Sequence, residues 1–364
     1  MPDKKKILFY LGHPAHYHLF KHVIRATKSR GHEALVLCKT KDILEDLLKR
    51  DGMDYINILP EGRKDNKLSI LWGMIKRNWR IGKLIRGQNI DMMFGTEAAL
   101  AQVGWVLGIP SIMVQEDDSK AIPAFASLAY PFASHILAPT VCDVGRYQKK
   151  KIAYEGYHEL AYLHPDNFVP DKSGIADKMD LSKPYFILRF AKLTAHHDVG
   201  RNGLDTEIVS KLVEKLVPHG NIYITSEREL EPQFEKYRIS IDPLDIHHAL
   251  AYASLYIGDS QTMAAEAAVL GTPSIRFNDF VGELGYLEEL EHKYQLTFGF
   301  RTNNPDNFLT KVDTILGDPQ SLETWKKRKE KMLLEKVDLA ALLLWFFENY
   351  PASIQGGKSK FSPN

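Results

Sequence analysis

Short apolar runs alternate along the chain with longer stretches in which apolar residues recur at helical spacing. The runs read as strands. In the first half they are Ile7–Leu11, Ala34–Cys38, Tyr55–Leu59, Met92–Phe94, Ser111–Val114 and Ile136–Ala138. In the second half they are Tyr185–Phe190, Ile222–Thr225, Leu255–Ile257 and Ser274–Phe277. Strands alternating with helices imply parallel sheets joined by right-handed crossovers. The polar stretch Asp171–Lys183 separates two such series. The expected organisation is an α/β N-terminal domain over 1–170, a linker over 171–183 and a C-terminal domain over 184–335. A final helix over about Leu322–Asn349 is long enough to cross back, with 336–350 returning to the first domain. The tail is 351–364, of which Gly356–Asn364 is expected to be disordered.

A chain of 364 residues exceeds what one core usually fills, which agrees with two domains. Its 47 basic and 46 acidic residues nearly cancel, which excludes a nucleic-acid binder working through bulk charge. Two cysteines, Cys38 and Cys142, make neither a disulfide framework nor a zinc site by themselves. The N-terminus Met-Pro-Asp-Lys-Lys-Lys runs into a strand without an apolar leader, and no apolar stretch reaches the roughly 20 residues that span a bilayer. A cytoplasmic protein is expected, with the inner face of the membrane as its other candidate location.

The most informative segment is Gly258–Phe277. After the apolar Leu255-Tyr256-Ile257, Gly258–Thr262 reads as a tight turn opening a helix, with Asp259 or Ser260 supplying the N-cap oxygen. Gly271 ends that helix and Pro273 prevents its continuation. A helix opening with free N–H groups straight off a parallel strand is an anion site. Glu266, one turn past Thr262, lies on the same helical face as its mouth. Phosphates at the helix start and a carboxylate for a ribose diol suit a nucleotide-diphosphate sugar. Strand–turn–helix units that bind nothing are also common in α/β proteins.

Other candidate chemistry clusters after predicted strands. The first loop holds His13, His16, His18 and His22, and an imidazole there suits a general base. A metal would ordinarily take ligands from more than one element, so no metal site is expected. Thr96-Glu97 and Glu116-Asp117-Asp118 each follow a first-half strand and belong at the carboxyl edge of the sheet. Arg189 and Lys192, where the first strand of the second half ends, suit a departing diphosphate without a metal, with His196 beside them. Arg63–Gly87 mixes Lys64, Lys67, Lys76, Arg77, Arg80, Lys83 and Arg86 with Trp72 and Trp79. It reads either as an interface for an anionic membrane through 67–86 or as a surface helix with an apolar core face.

The turn Gly258-Asp259-Ser260-Gln261-Thr262 resembles the donor loop of GT-B-fold proteins, among them MurG-type glycosyltransferases and non-hydrolysing UDP-N-acetylglucosamine 2-epimerases. Together with the His-rich first loop and Tyr154-Glu155-Gly156-Tyr157-His158-Glu159-Leu160-Ala161-Tyr162-Leu163-His164-Pro165, it also resembles the family catalogued as domain of unknown function 354. The resemblance implies a GT-B fold: two Rossmann-like doubly wound domains facing across a cleft, with a C-terminal helix crossing back. It implies that Ser260, Gln261 and Thr262 face phosphates, that Glu266 takes a ribose, and that Gly12, Gly258, Arg189, Lys192 and His196 line the donor site. His16 would be the base, with His18 in reserve, and Glu97, Glu116 and Asp117 complete the catalytic set. The implied activity is glycosyl transfer from a UDP-type donor, without cofactor, to a glycan or lipid-linked acceptor in cell-surface polysaccharide synthesis. Epimerisation is the alternative. Against it, the epimerases' catalytic Glu falls on Gln115, with Glu116 one residue out of register, and their Pro-Glu-Glu segment reads Ala129-Tyr130-Pro131-Phe132. A non-catalytic nucleotide-sugar binder is the third reading. Sugar, acceptor and oligomeric state stay open.

Overall fold

The computed structural model describes residues 4–61, 67–191 and 203–355. They form two compact units: one holds the described residues up to Asn167 and those from Lys336 onward, the other Phe168–Glu335.

The first unit is built on a seven-stranded sheet. Its strands are β1 Lys6–Leu11, β2 Glu33–Cys38, β3 Ile56–Asn57, β4 Met92–Gly95, β5 Ser111–Val114, β6 His135–Pro139 and β7 Lys151–Tyr154. Their order is β3-β2-β1-β4-β5-β6-β7, and every ladder is parallel. β1, β4 and β5 are almost wholly buried because helices cover both faces, which is why they read as unbroken apolar runs. The expected strand Tyr55–Leu59 shrinks to two residues at the sheet edge. β7 was not anticipated, because its run Lys-Ile-Ala-Tyr alternates in burial as an edge strand does.

In the second unit the strands are β8 Tyr185–Phe190, β9 Asn221–Ser226, β10 Leu255–Gly258, β11 Ser274–Phe277 and β12 Thr297–Phe300. They too are all parallel, in the order β12-β11-β10-β8-β9. The stretch Asp171–Lys183 belongs to this unit, with Ile175 and Met179 buried in it.

The single final helix expected over Leu322–Asn349 is instead two, Ser321–Glu335 and Leu339–Glu348. Between them the Val337 N–H donates to the Glu155 carbonyl and Lys336 Nζ pairs with the Glu155 carboxylate at 2.9 Å. Asp338 then caps the second helix by accepting from the N–H groups of Ala340 and Ala341. That second helix buries Leu339, Leu343, Phe346 and Phe347 in the first unit.

In each sheet the strand order reverses at one place. Chain connections leave in opposite directions from β1 and β4 in the first unit and from β8 and β10 in the second. Doubly wound sheets hold ligands outside the carboxyl ends of strands at such a switch point.

Candidate functional site

At the β1/β4 switch point the turn after β1 is short. His13 is an N-cap, accepting from the Ala15 N–H, and Pro14 opens the helix Pro14–Ser29. The His-rich segment is therefore a helix start rather than a loop. His16 lies in its first turn and reaches back to the strand. Its Nδ1 accepts the Gly12 N–H at 3.0 Å, and its Nε2 lies 2.6 Å from Thr96 Oγ1. Because Nδ1 accepts, the ring proton is assigned to Nε2, which donates to Thr96. Burial pushes the His16 pKa down to about 3, with His13 and Lys39 adding to the effect against Glu97. His18 is buried beside Tyr17 and Tyr162.

Glu97, two residues past the end of β4, is gripped by Lys39 Nζ at 2.6 Å and Arg77 Nη1 at 2.8 Å. Burial alone would raise its pKa, but the two cations outweigh that and hold it at about 2. A carboxylate so stabilised is a poor proton acceptor. Gly12 is required here, since a Cβ would fall on the Glu97 carboxylate. Arg77 comes from the basic helix Lys67–Ile85. Ile81 and Ile85 of that helix pack into the core with Tyr10 and Leu100, and its Lys76 and Arg80 pair with Glu61. Trp79 stays exposed under Lys83.

The acidic run after β5 is also engaged. The Glu116 carboxylate accepts the backbone N–H of His158 at 2.9 Å and lies 3.3 Å from that residue's Nδ1. Asp118 accepts the Asp143 N–H, and the partly buried Asp117 lies close enough to Tyr130 and Cys142 to raise both their pKa values, after burial. Gln115 Nε2 donates to the Thr96 carbonyl. His158 is driven down to about 3 by burial, with His16 pushing the same way. Sequence reasoning quoted His158 without giving it a role. Recognising β7 as a strand would have put it at the sheet's carboxyl edge.

At the β8/β10 switch point Gly258 pairs in register with Arg189, and Arg189 with Thr225. A Cβ on Gly258 would lie 2.9 Å from the Arg189 carbonyl oxygen, so only glycine lets the turn pass this close. Ser260 is the N-cap of the helix Gln261–Leu270, accepting from the Met263 N–H, and Gly271 ends it in the left-handed conformation. Asp259 is not the cap. It is buried and accepts the Ala191 N–H at 2.6 Å, with Arg228 3.7 Å from its other oxygen. Its pKa rises to about 6 because burial outweighs those contacts. Thr262 is exposed and Gln261 partly so. Glu266 is buried, with His247 Nε2 3.0 Å from its carboxylate. Arg189 is paired through Nη2 with Glu227. Among the described residues four buried polar atoms here have no hydrogen-bond partner: Arg189 Nε, Thr225 Oγ1, Gln261 Oε1 and Asp259 Oδ2. Lys192 and His196 lie outside the described residues, as do Lys64 and the tail beyond residue 355. Among the described residues no helix is long and apolar enough to cross a membrane.

A model of the protein family described as "Protein of unknown function (DUF354)" matches residues 6–285. The chain belongs to this family. No curated protein matches it in sequence. A UDP-N-acetylglucosamine 2-epimerase structure is 14% identical, with a TM-score of 0.68, covering 99% of this chain and 98% of that one. The S. aureus MnaA–UDP structure is 16% identical at TM-score 0.65, covering 99% of both chains. Spinosyn forosaminyltransferase SpnP is 12% identical at TM-score 0.63, covering 95% and 100%. These likenesses establish the GT-B architecture for this member of the DUF354 family.

Proposed function

We propose that the chain is a nucleotide-sugar enzyme, a glycosyltransferase taking a UDP-type donor at the β8/β10 switch point. The observation that carries this is the set of unpartnered buried polar atoms beside the start of helix Gln261–Leu270. Leaving a buried donor or acceptor unmade costs about 1–3 kcal/mol each, so a protein retains such groups where something else satisfies them. Arg189 Nε and Thr225 Oγ1 stand side by side in register, next to a helix start that favours negative charge. A diphosphate matches that donor set, and Glu266 supplies a carboxylate one turn on. In this reading Arg189 and the helix dipole balance the charge that grows on the departing diphosphate. UDP is preferred because one similar structure contains it. The acceptor in this reading is a glycan or lipid-linked sugar.

Epimerisation is the second reading, favoured by the Glu116 carboxylate 3.3 Å from the neutral imidazole of His158, an acid–base pair for a proton at the sugar C2. Incubation with UDP-N-acetylglucosamine and no acceptor separates the two. Slow UDP release without isomer formation is expected, and interconversion of sugar isomers would make the protein an epimerase. Calorimetric titration with UDP tests the donor site itself. Glu266→Gln is expected to weaken binding at least tenfold, and unchanged affinity would remove Glu266 from the ribose site.

A further inference from the structure

We propose that His158, oriented by Glu116, is the general base of the first unit, and that His16 is a hydrogen-bonded positioning group. The inference rests on the enzymatic reading above and deepens it. It starts from which ring nitrogen holds a lone pair that is not already spent. In His16 the lone pair is on Nδ1 and receives the Gly12 N–H, while Nε2 carries the proton toward Thr96. Taking up a second proton would break the Gly12 bond and charge a ring that Lys39 and His13 already disfavour charging. Glu97, which would offset that charge, is committed to two cations.

His158 has the opposite arrangement. The Glu116 carboxylate accepts its main-chain N–H and lies 3.3 Å from its Nδ1, so the ring proton is assigned to Nδ1. The lone pair is then on Nε2, which is shielded from solvent and has no hydrogen-bond partner among the described residues. The ring and the carboxylate that orients it have side-chain exposures of only 15% and 14%. When Nε2 accepts a proton, the imidazolium's Nδ1–H faces a carboxylate 3.3 Å away, the role an aspartate plays behind a catalytic histidine. In the substrate-free protein burial keeps the ring neutral across the physiological range, so the Nε2 lone pair is present. In the transferase step the acceptor hydroxyl gives its proton to Nε2. Its oxygen bonds to the carbon it attacks, and that carbon's bond to its leaving group breaks, the electron pair departing with the leaving group.

Two readouts test this. The first needs no substrate: nitrogen-15 NMR of histidine-labelled protein, with resonances assigned through His16→Gln and His158→Gln, reports which ring nitrogen is protonated. The proton is expected on Nδ1 of His158 and on Nε2 of His16, and the reverse pattern at His158 would overturn the proposal. Should either variant fail to fold, neutron density from wild-type crystals reads the same protons. The second compares turnover of UDP-N-acetylglucosamine. His158→Gln should lower kcat about 10²–10⁴-fold with UDP affinity unchanged. Glu116→Gln should cost less and shift the pH profile. A larger kcat loss in His16→Gln than in His158→Gln would return the base role to His16. Failure of the wild type to bind UDP would overturn the donor-site reading alone, leaving the NMR result to decide His158.

Discussion

The two switch points have the same topology and opposite polar bookkeeping. At β1/β4 and the neighbouring end of β5, the carboxylates and imidazoles are engaged by other side chains and main-chain groups: Glu97 with Lys39 and Arg77, His16 with Gly12 and Thr96, Glu116 with His158. There His158 Nε2 and Arg77 Nε have no hydrogen-bond partner among the described residues. At β8/β10, Arg189, Thr225, Gln261 and Asp259 each keep a buried polar atom without a hydrogen-bond partner among the described residues. A self-satisfied network holds side chains in fixed orientations and protonation states, which suits groups that must act on a proton. A set of unsatisfied donors beside a helix start suits a ligand that arrives already charged. The strand layout the two sheets share thus says where chemistry sits, and the local pairing says which kind.

The largest effect that sharpens this contrast is expected from Glu97→Ala. It strands Lys39 and Arg77, both mostly buried, and should cost about 3 kcal/mol of first-unit stability by denaturant unfolding. A cost under about 1 kcal/mol would mean that the first-unit network is not self-satisfied.

The next is a pH response of opposite sign. His16 and His158 have folded pKa values of about 3, below the ordinary histidine value, so the unfolded chain binds more protons in the window from about 3 to 6.5. Their contribution to stability is complete above about pH 6.5 and is lost as pH falls through that window. Asp259, raised to about 6, binds a proton more tightly when folded. Its contribution is most favourable below about pH 4 and declines as pH rises toward 6, by about 3 kcal/mol. Acidification should therefore weaken the first unit while relieving the second, and Asp259→Asn should flatten the second unit's part. Hydrogen exchange measured at pH 4.5 and 7 would show this, and equal acid weakening of both units would break the comparison.

Thr225→Val and Gln261→Ala remove unpartnered groups, so each should weaken UDP binding about five- to tenfold by calorimetry while leaving thermal stability level or raised. A stability loss with unchanged affinity would show those atoms to be satisfied within the fold. The smallest effect is Ser260→Ala, expected to cost about 1 kcal/mol through the lost helix cap.

Much of the architecture was legible because it is local. Apolar runs marked ten of the strands, and the Gly258–Thr262 turn announced itself through a strand, a capping hydroxyl and a closing glycine. What escaped was the edge: β7 and β12, whose residues are only partly buried, and the break at Lys336-Val337-Asp338, which depends on Glu155. Missing β7 also hid His158.

The sequence by itself determined the two parallel α/β sheets and where along the chain their ligand-facing ends fall, because burial periodicity, caps and turn residues act over a few neighbours. Tertiary structure alone decided how each polar group is used. Arg77, on a helix that reads either as a membrane interface or as an ordinary surface helix, turned inward to Glu97, and Arg189 took Glu227 as its partner. Glu266 came to lie against His247, and Glu116 fixed a histidine 42 residues away. Such pairings join residues far apart in the chain, and a proton's place on an imidazole follows from whichever groups the fold sets against its two nitrogens.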